Sequence, residues 1–189
     1  LKESIPLATV RRMLLHDDTQ IAESINQLWG SIQGATTKQM KQRIEDYSQL
    51  INLGTGNPYN GETVFVKQCG KCHTLFDQGG EIGPNLTSYK RDDLGSMLLN
   101  IVNPSIEIRK GYENFAVFTN DGRTLNGFIE DQDNRVVILK GLDGQRIVVL
   151  RDEIDEMAAI RRSIMPERIL EALSEEQVRD LFAFLRASQ

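Results

Sequence analysis

Apolar residues recur every three or four positions through the first part of the chain: Leu7, Val10 and Leu14, then Ile21, Ile25 and Leu28. That spacing lines them up on one helical face, so "IPLATVRRMLLHDD" and "TQIAESINQLWGSI" predict two helices. A third, "TTKQMKQRIEDYSQLINL", opens at a threonine cap and stops before Gly54. Residues 54–58, Gly-Thr-Gly-Asn-Pro, predict a linker or turn. "NGETVFVKQCGKC" then predicts a short helix and "DQGGEIGPNL" a loop. "KRDDLGSMLLNIVNP" predicts a second helix of this zone, with Asp92 or Asp93 near its start and Pro104 after its end.

The period changes near residue 112. "ENFAVFTNDGRTLNGFIEDQDNRVVILKGLDGQRIVVL" alternates in places and is rich in β-branched residues. Asp121-Gly122 and Asp143-Gly144 are hairpin turn signals, and residues 131–134 form a polar turn between them. Four strands in a meander over 112–156 is the simplest reading. The pattern is similar to small Sm-like or SH3-like barrels, a likeness of shape that says nothing of activity. From 157 onward the pattern is helical again. Ser174 with Gln177 makes a capping box that opens a helix running to the end.

Charge adds one constraint. Residues 1–55 carry six Lys/Arg and six Asp/Glu, while 112–156 carries five against ten, which accounts for the whole net charge of −5. A nucleic-acid binder needs a basic face to neutralise phosphates, and no basic cluster is visible. No apolar run approaches the roughly 18 to 20 residues that span a bilayer, so no transmembrane segment is expected. "LKESIPLATVRRMLL" lacks the apolar region of a signal peptide. The chain starts at Leu1, consistent with a mature product or a piece of a longer polypeptide.

Both cysteines and one of the two histidines fall within five positions, Cys69-Gly-Lys-Cys72-His73. Four readings compete. A thioredoxin-like redox pair sits near a βαβ pattern, but the flanks here look helical. A structural zinc site takes four ligands; only three candidates exist, and His16 is far away in sequence. A disulfide closing so short a loop does little to restrict the unfolded chain, and it leaves His73 without a use. The fourth reading is c-type haem attachment. There two thiols add to the vinyl groups, and the adjacent histidine reaches the iron from the same segment.

A haem iron held by histidine often takes methionine on its other side. The chain offers Met13, Met40, Met97, Met157 and Met165. Most methionines fill cores. Met165 lies in "SIMPE", followed by proline and ahead of the last helix, which suits a helix-face filler poorly. Met157 is the runner-up, and Met97 in "LGSMLLNIV" reads as core. Arg91 could pair a haem propionate or simply be a surface arginine. Tyr89 and Tyr112 are further candidates for the haem edge.

These residues resemble the mono-haem class I cytochromes c. Gly61 and Phe65 precede Cys-x-x-Cys-His at the spacing of that fold's first helix, "GPNL" at 83–86 is similar to its Gly-Pro-x-Leu loop, and "DLFAFLRA" is similar to its last helix. The resemblance implies that the carbonyl of Pro84 accepts a hydrogen bond from His73 and that Leu86 belongs to the same loop. It also implies that Leu181 and Phe184 pack near Gly61 and Phe65. More closely, the chain resembles the planctomycete-type haem-binding domain family over about 60–187, through "VFVKQCGKCHTL", "GGEIGPNLT", "LLNIVNPSIEI", "GYENFAVFTNDGRTLNGFIED", "SIMPE" and "DLFAFL". His73 and Met165 lie 92 residues apart, long for a class I domain. Removing 112–156 about halves that gap, so the meander reads as an insertion.

The expected architecture is therefore a mainly α cytochrome c fold at 57–189, interrupted by a small antiparallel β lobe at 112–156 and preceded by a helical segment, 1–56. That segment is expected to be separable from haem binding. The expected cofactor is haem c with its iron, held by Cys69, Cys72 and His73, with Met165 as sixth ligand. The expected function is one-electron transfer rather than enzymatic turnover. The resemblance implies a dehydrogenase as donor, in the same longer chain or a separate one, and an extracytoplasmic, periplasmic location. Two rivals stay open: a haem sensor or weak peroxidase with an accessible sixth position, and an acidic β lobe that docks a basic partner beside a structural haem.

Overall fold

A computed structural model describes residues 5–187 apart from Asp17 and Gln33. Helix α1, Leu7–Met13, follows Pro6 and has no side-chain cap. The other helices begin where a short polar side chain can take up the free amides of a first turn. Asp18 accepts from the amides of Gln20 and Ile21 at the start of α2, Thr19–Trp29. Thr37 caps α3, Lys38–Asn52. Asn57 caps α4, Pro58–Gln68, with the proline in the first turn, where its missing N–H costs nothing. Asp93 caps α5, Leu94–Val102. Ser174 and Gln177 form the expected capping box on α6, Glu175–Leu185.

The helical core forms where α4 crosses α6. Gly61 makes the crossing close: a Cβ built there would lie 1.9 Å from the Asp180 carbonyl oxygen and 2.8 Å from Phe184 Cβ. One turn along, the rings of Phe65 and Phe184 meet at 5.5 Å, and Phe76 sits edge-on to Phe184 at 5.7 Å. Leu181 belongs to the same buried cluster, so the expected packing of Leu181 and Phe184 near Gly61 and Phe65 is present. Helix α3 joins this core as well. Ile51 is buried in it, and Ile44, Tyr47 and Leu50 pack against it. The turn at 54–58 is thus a tight corner under α6, where a Cβ on Gly56 would overlap the Arg179 carbonyl; α3 does not build a core of its own.

After α4 comes a two-residue hairpin, β1 Thr74–Leu75 and β2 Gln78–Gly79, in antiparallel pairing. The inserted lobe then holds five strands rather than four: β3 Asn114–Thr119, β4 Thr124–Gln132, β5 Val136–Lys140, β6 Arg146–Leu150 and β7 Ile154–Ile160. A 3-10 turn, Arg151–Glu153, precedes β7. Strand order is β6-β5-β4-β3-β7, with every neighbouring pair antiparallel. Both Asp-Gly pairs sit in turns with glycine in the left-handed region, Gly122 at φ 84° and Gly144 at φ 78°. Val117, Val137, Leu139 and Val149 form a second core on one sheet face.

The fifth strand moves the end of the insertion from 156 to 160. "MAAI" has alanines where strands usually carry branched residues, so its propensity is weak. Pairing along β3, from Asn114 opposite Ile160 to Phe118 opposite Glu156, overrides it. Among the described residues, six helices plus a five-stranded sheet make the fold mixed α and β, where mainly α was expected. No described helix is long and apolar enough to cross a membrane.

Candidate functional site

The end of α4 places the cysteines and the histidine. Cys69 caps the helix, and its amide and that of Gly70 both donate to the Phe65 carbonyl at 2.8 Å. The chain keeps turning: the amides of Cys72 and His73 donate to the Cys69 carbonyl at 3.0 and 2.9 Å. Two thiols and an imidazole are therefore gathered in the hydrogen-bonded turns that directly follow α4. Both cysteines are half-buried free thiols, not joined in a disulfide. A helix, and not a strand, leads into the motif. Among the described residues no His, Cys, Asp or Glu side chains gather in a group of three or more that could hold a metal ion.

The loop after the motif folds back over it. Amides of Gly80, Gly83 and Leu86 donate to the carbonyls of Gly70, Cys72 and Thr74 at 2.8, 2.7 and 2.8 Å. Gly79 has φ 116°, and a Cβ there would lie 2.1 Å from the His73 carbonyl oxygen, so only glycine permits this approach. The loop brings the Pro84 carbonyl to 2.8 Å from His73 Nδ1. A carbonyl can only accept, so Nδ1 carries the hydrogen and Nε2 keeps a lone pair. Burial holds the imidazole below its usual pKa, and the bond to Pro84 opposes that shift. The ring is thus a neutral, oriented donor of the kind metals take. Gly83 makes room for it: a Cβ there would stand 2.7 Å from His73 Cε1.

Burial, with a smaller contribution from the neighbouring Cys72, pushes the Cys69 thiol up to about 11. The thiolate is the nucleophile, so Cys69 is expected to react slowly with iodoacetamide at pH 8 in haem-free protein. Mass-spectrometric mapping checks this. Cys69 labelling as fast as an unfolded control would contradict the burial.

The remaining expected residues separate into those near the motif and those used elsewhere. Leu86 is half-buried and packs against the helical core. Arg91 is half-buried. Its Nη1 donates to the carbonyls of Leu185 and Ala187 at 3.1 and 2.7 Å, and its guanidinium lies 4.6 Å over the Phe76 ring. The last carbonyls of α6 lack helical partners and form its negative pole, which is the physical reason a cation settles there. The Tyr89 hydroxyl accepts from Arg109 at 3.1 Å, and Tyr112 stands edge-on to Phe128 at 5.8 Å.

The methionines also separate. Met13 lies in α1, Met40 in α3, Met97 in α5 and Met157 in β7. Met97 packs on the helical core and Met157 on the sheet core, opposite Val117. Met165 alone of the five lies in a loop, half-buried, its amide donating to Ser163 Oγ at 3.2 Å. His16 is exposed beyond α1. Sequence reasoning missed Lys140, whose Nζ donates to the Glu81 carbonyl at 2.8 Å and ties the β lobe to the loop bearing Pro84. It also missed Arg11 and Ser105, which touch the Met165 loop. Only the third dimension joins positions so far apart in sequence.

Two adjacent free thiols and a neutral imidazole held by a carbonyl are the donor set that covalent haem needs. The family model for cytochrome c matches residues 59–138, less than half of the chain. No curated protein matches the chain. The matched span contains the Cys-Cys-His turn and Pro84, ends inside β5, and stops short of Met165 and α6. The cofactor of this segment is haem c, an iron porphyrin bound covalently. Haem-based electron transfer, with redox proteins as partners, is the general function of the family.

Proposed function

We propose that the chain is a one-electron carrier whose haem c is joined through Cys69 and Cys72, with His73 and Met165 as its axial ligands. The observation that carries this reading is the hydrogen bond from His73 Nδ1 to the Pro84 carbonyl, which leaves Nε2 as the ligating atom. Bound haem c supplies a reversible ferric/ferrous couple. The residues do the rest. Cys69 and Cys72 fix the macrocycle to α4, and Pro84 stops the His73 ring from rotating. Met165 suits the sixth position because it is the one methionine without a place in a helix or strand. A neutral thioether favours ferrous iron and raises the potential, and it leaves small ligands no vacant position. That favours a carrier over a sensor or peroxidase.

The sequence likeness to planctomycete-type haem-binding domains supports a dehydrogenase as electron donor, within a longer chain or separate. Thioether attachment takes place outside the cytoplasm in bacteria with such domains, which supports a periplasmic location. Holo-protein found only in the cytosolic fraction would refute that.

The ligand set is tested on the holo-protein. Haem should resist acid-acetone extraction, and the ferric spectrum should be low-spin. Met165→Ala should open the sixth position, let carbon monoxide bind the ferrous form quickly and lower the midpoint potential by at least about 60 mV, a tenfold change in relative preference for the two oxidation states. Met157→Ala should change none of these. A wild-type protein already five-coordinate, or a Met165→Ala spectrum identical to wild type, would overturn the assignment of Met165.

A further inference from the structure

The stretch from 161 to 168 has no helix or strand of its own, so its position is set by the side chains that hold it. Its upstream end is held from α1. Arg11, only 4 % exposed, donates through Nη2 to the Arg161 carbonyl at 3.2 Å. Burying a guanidinium is costly, so the bond is made in a place where water cannot readily replace it. The middle is held by Ser105, 1 % exposed, whose Oγ accepts from the Ser163 amide at 3.1 Å. Ser163 Oγ in turn accepts from the Met165 amide at 3.2 Å. The 3-10 turn that follows, Ile169–Ala172, is tied to α3, where Arg43 pairs with Glu171 at 2.5 Å. Arg162 and Glu167 close the base of the loop at 3.0 Å.

Ser105 is itself fixed to the N-terminal segment. Asn103, fully buried, donates to the Gly34 carbonyl and to Thr36 Oγ1, both at 2.9 Å. Gly34 has φ 78°, and a Cβ there would come within 2.6 Å of the Ser105 carbonyl oxygen. Arg12 pairs with Glu107 just beyond. Segments far apart in sequence thus converge on the loop that carries Met165.

We propose that the N-terminal helical segment holds the Met165 loop where the thioether can ligate the iron, directly through Arg11 and indirectly through Ser105, which lies after α5 and is kept in place by Gly34 and Thr36, and so sets how often that ligand is off. The inference rests on Met165 being the sixth ligand. A released loop leaves the haem attached through Cys69, Cys72 and His73, because that turn contains none of these bonds. The segment then acts as a latch: displacing it converts a closed carrier into one open to small ligands.

The test uses the full-length holo-protein in five forms: wild type, Met165→Ala, Arg11→Met, Arg11→Lys and Ser105→Ala. Carbon monoxide binding to the ferrous form and amide exchange of a peptide covering 161–166 are followed in each. Losing one such bond shifts a local equilibrium by about tenfold. Arg11→Met and Ser105→Ala should therefore each speed carbon monoxide binding by about tenfold and lower the protection of that peptide. Arg11→Lys should recover part of both. Fast binding in Met165→Ala with wild-type rates and exchange in Arg11→Met and Ser105→Ala would overturn the latch while leaving the ligand assignment intact. A silent Met165→Ala would instead remove the ligand assignment and the latch with it. If Arg11→Met does not fold, Ser105→Ala decides, because it removes one hydroxyl and little volume.

Discussion

Gly61→Ala is expected to destabilise the protein by about 3 kcal/mol or more. A Cβ at this position would overlap the Asp180 carbonyl oxygen at 1.9 Å. That atom belongs to the backbone of α6 and cannot swing aside as a side chain could. Relief requires the two helices to separate, and separation loosens Phe65 from Phe184 and uncovers Leu181 and Phe182. The same crossing fixes the end of α4, from which Cys69, Cys72 and His73 project. A lower denaturation midpoint by circular dichroism, with an unchanged slope, is the expected result. A midpoint within error of wild type would mean that α4 and α6 do not approach this closely.

The features legible in the sequence were those set by local chemistry. Helix starts followed from Thr37, Asp93 and Ser174, because capping is a contact between residues three positions apart. Asp121-Gly122 and Asp143-Gly144 marked real turns because glycine alone takes a left-handed conformation freely. The Pro84 bond to His73 followed from the family likeness, since the two residues share one loop. What was not legible depends on distant partners. Strand β7 has weak propensity and exists through its pairing with β3. Arg91 finds the carbonyls of Leu185 and Ala187, more than ninety positions away. The turn at Phe76 and Asp77, both at positive φ (51° and 63°), carries no glycine to announce it.

A chain that begins at Asn57 is expected to keep its covalent haem, lose stability and lose its sixth ligand. The attachment turn depends on α4, on the loop at 79–86 and on the crossing with α6, all of which remain. Asn57 must stay, because it caps α4 and its amide donates to Asp180 Oδ1 at 2.7 Å. Deleting 1–56 removes α3, and with it Ile51 and the half-buried Ile44, Tyr47 and Leu50 from one side of the helical core. Each such side chain stabilises by about 1.5–3 kcal/mol when fully buried; with partial burial the summed loss is on the order of 5 kcal/mol. Arg11 and Arg43 go too, so the Met165 loop loses its tie to α1, the 3-10 turn after it loses its tie to α3, and only Ser105 and Arg162–Glu167 still hold the loop. Three measurements separate the contributions. A c-type pyridine haemochrome spectrum reports attachment, the denaturation midpoint reports the core, and the rate of carbon monoxide binding reports Met165. Met165→Ala in the full chain should match the shortened protein in the last and resemble wild type in the first two. A shortened chain with unchanged midpoint and unchanged rate would show that residues 1–56 are an independent unit. One that never acquires haem would show that α3 is needed before attachment can occur.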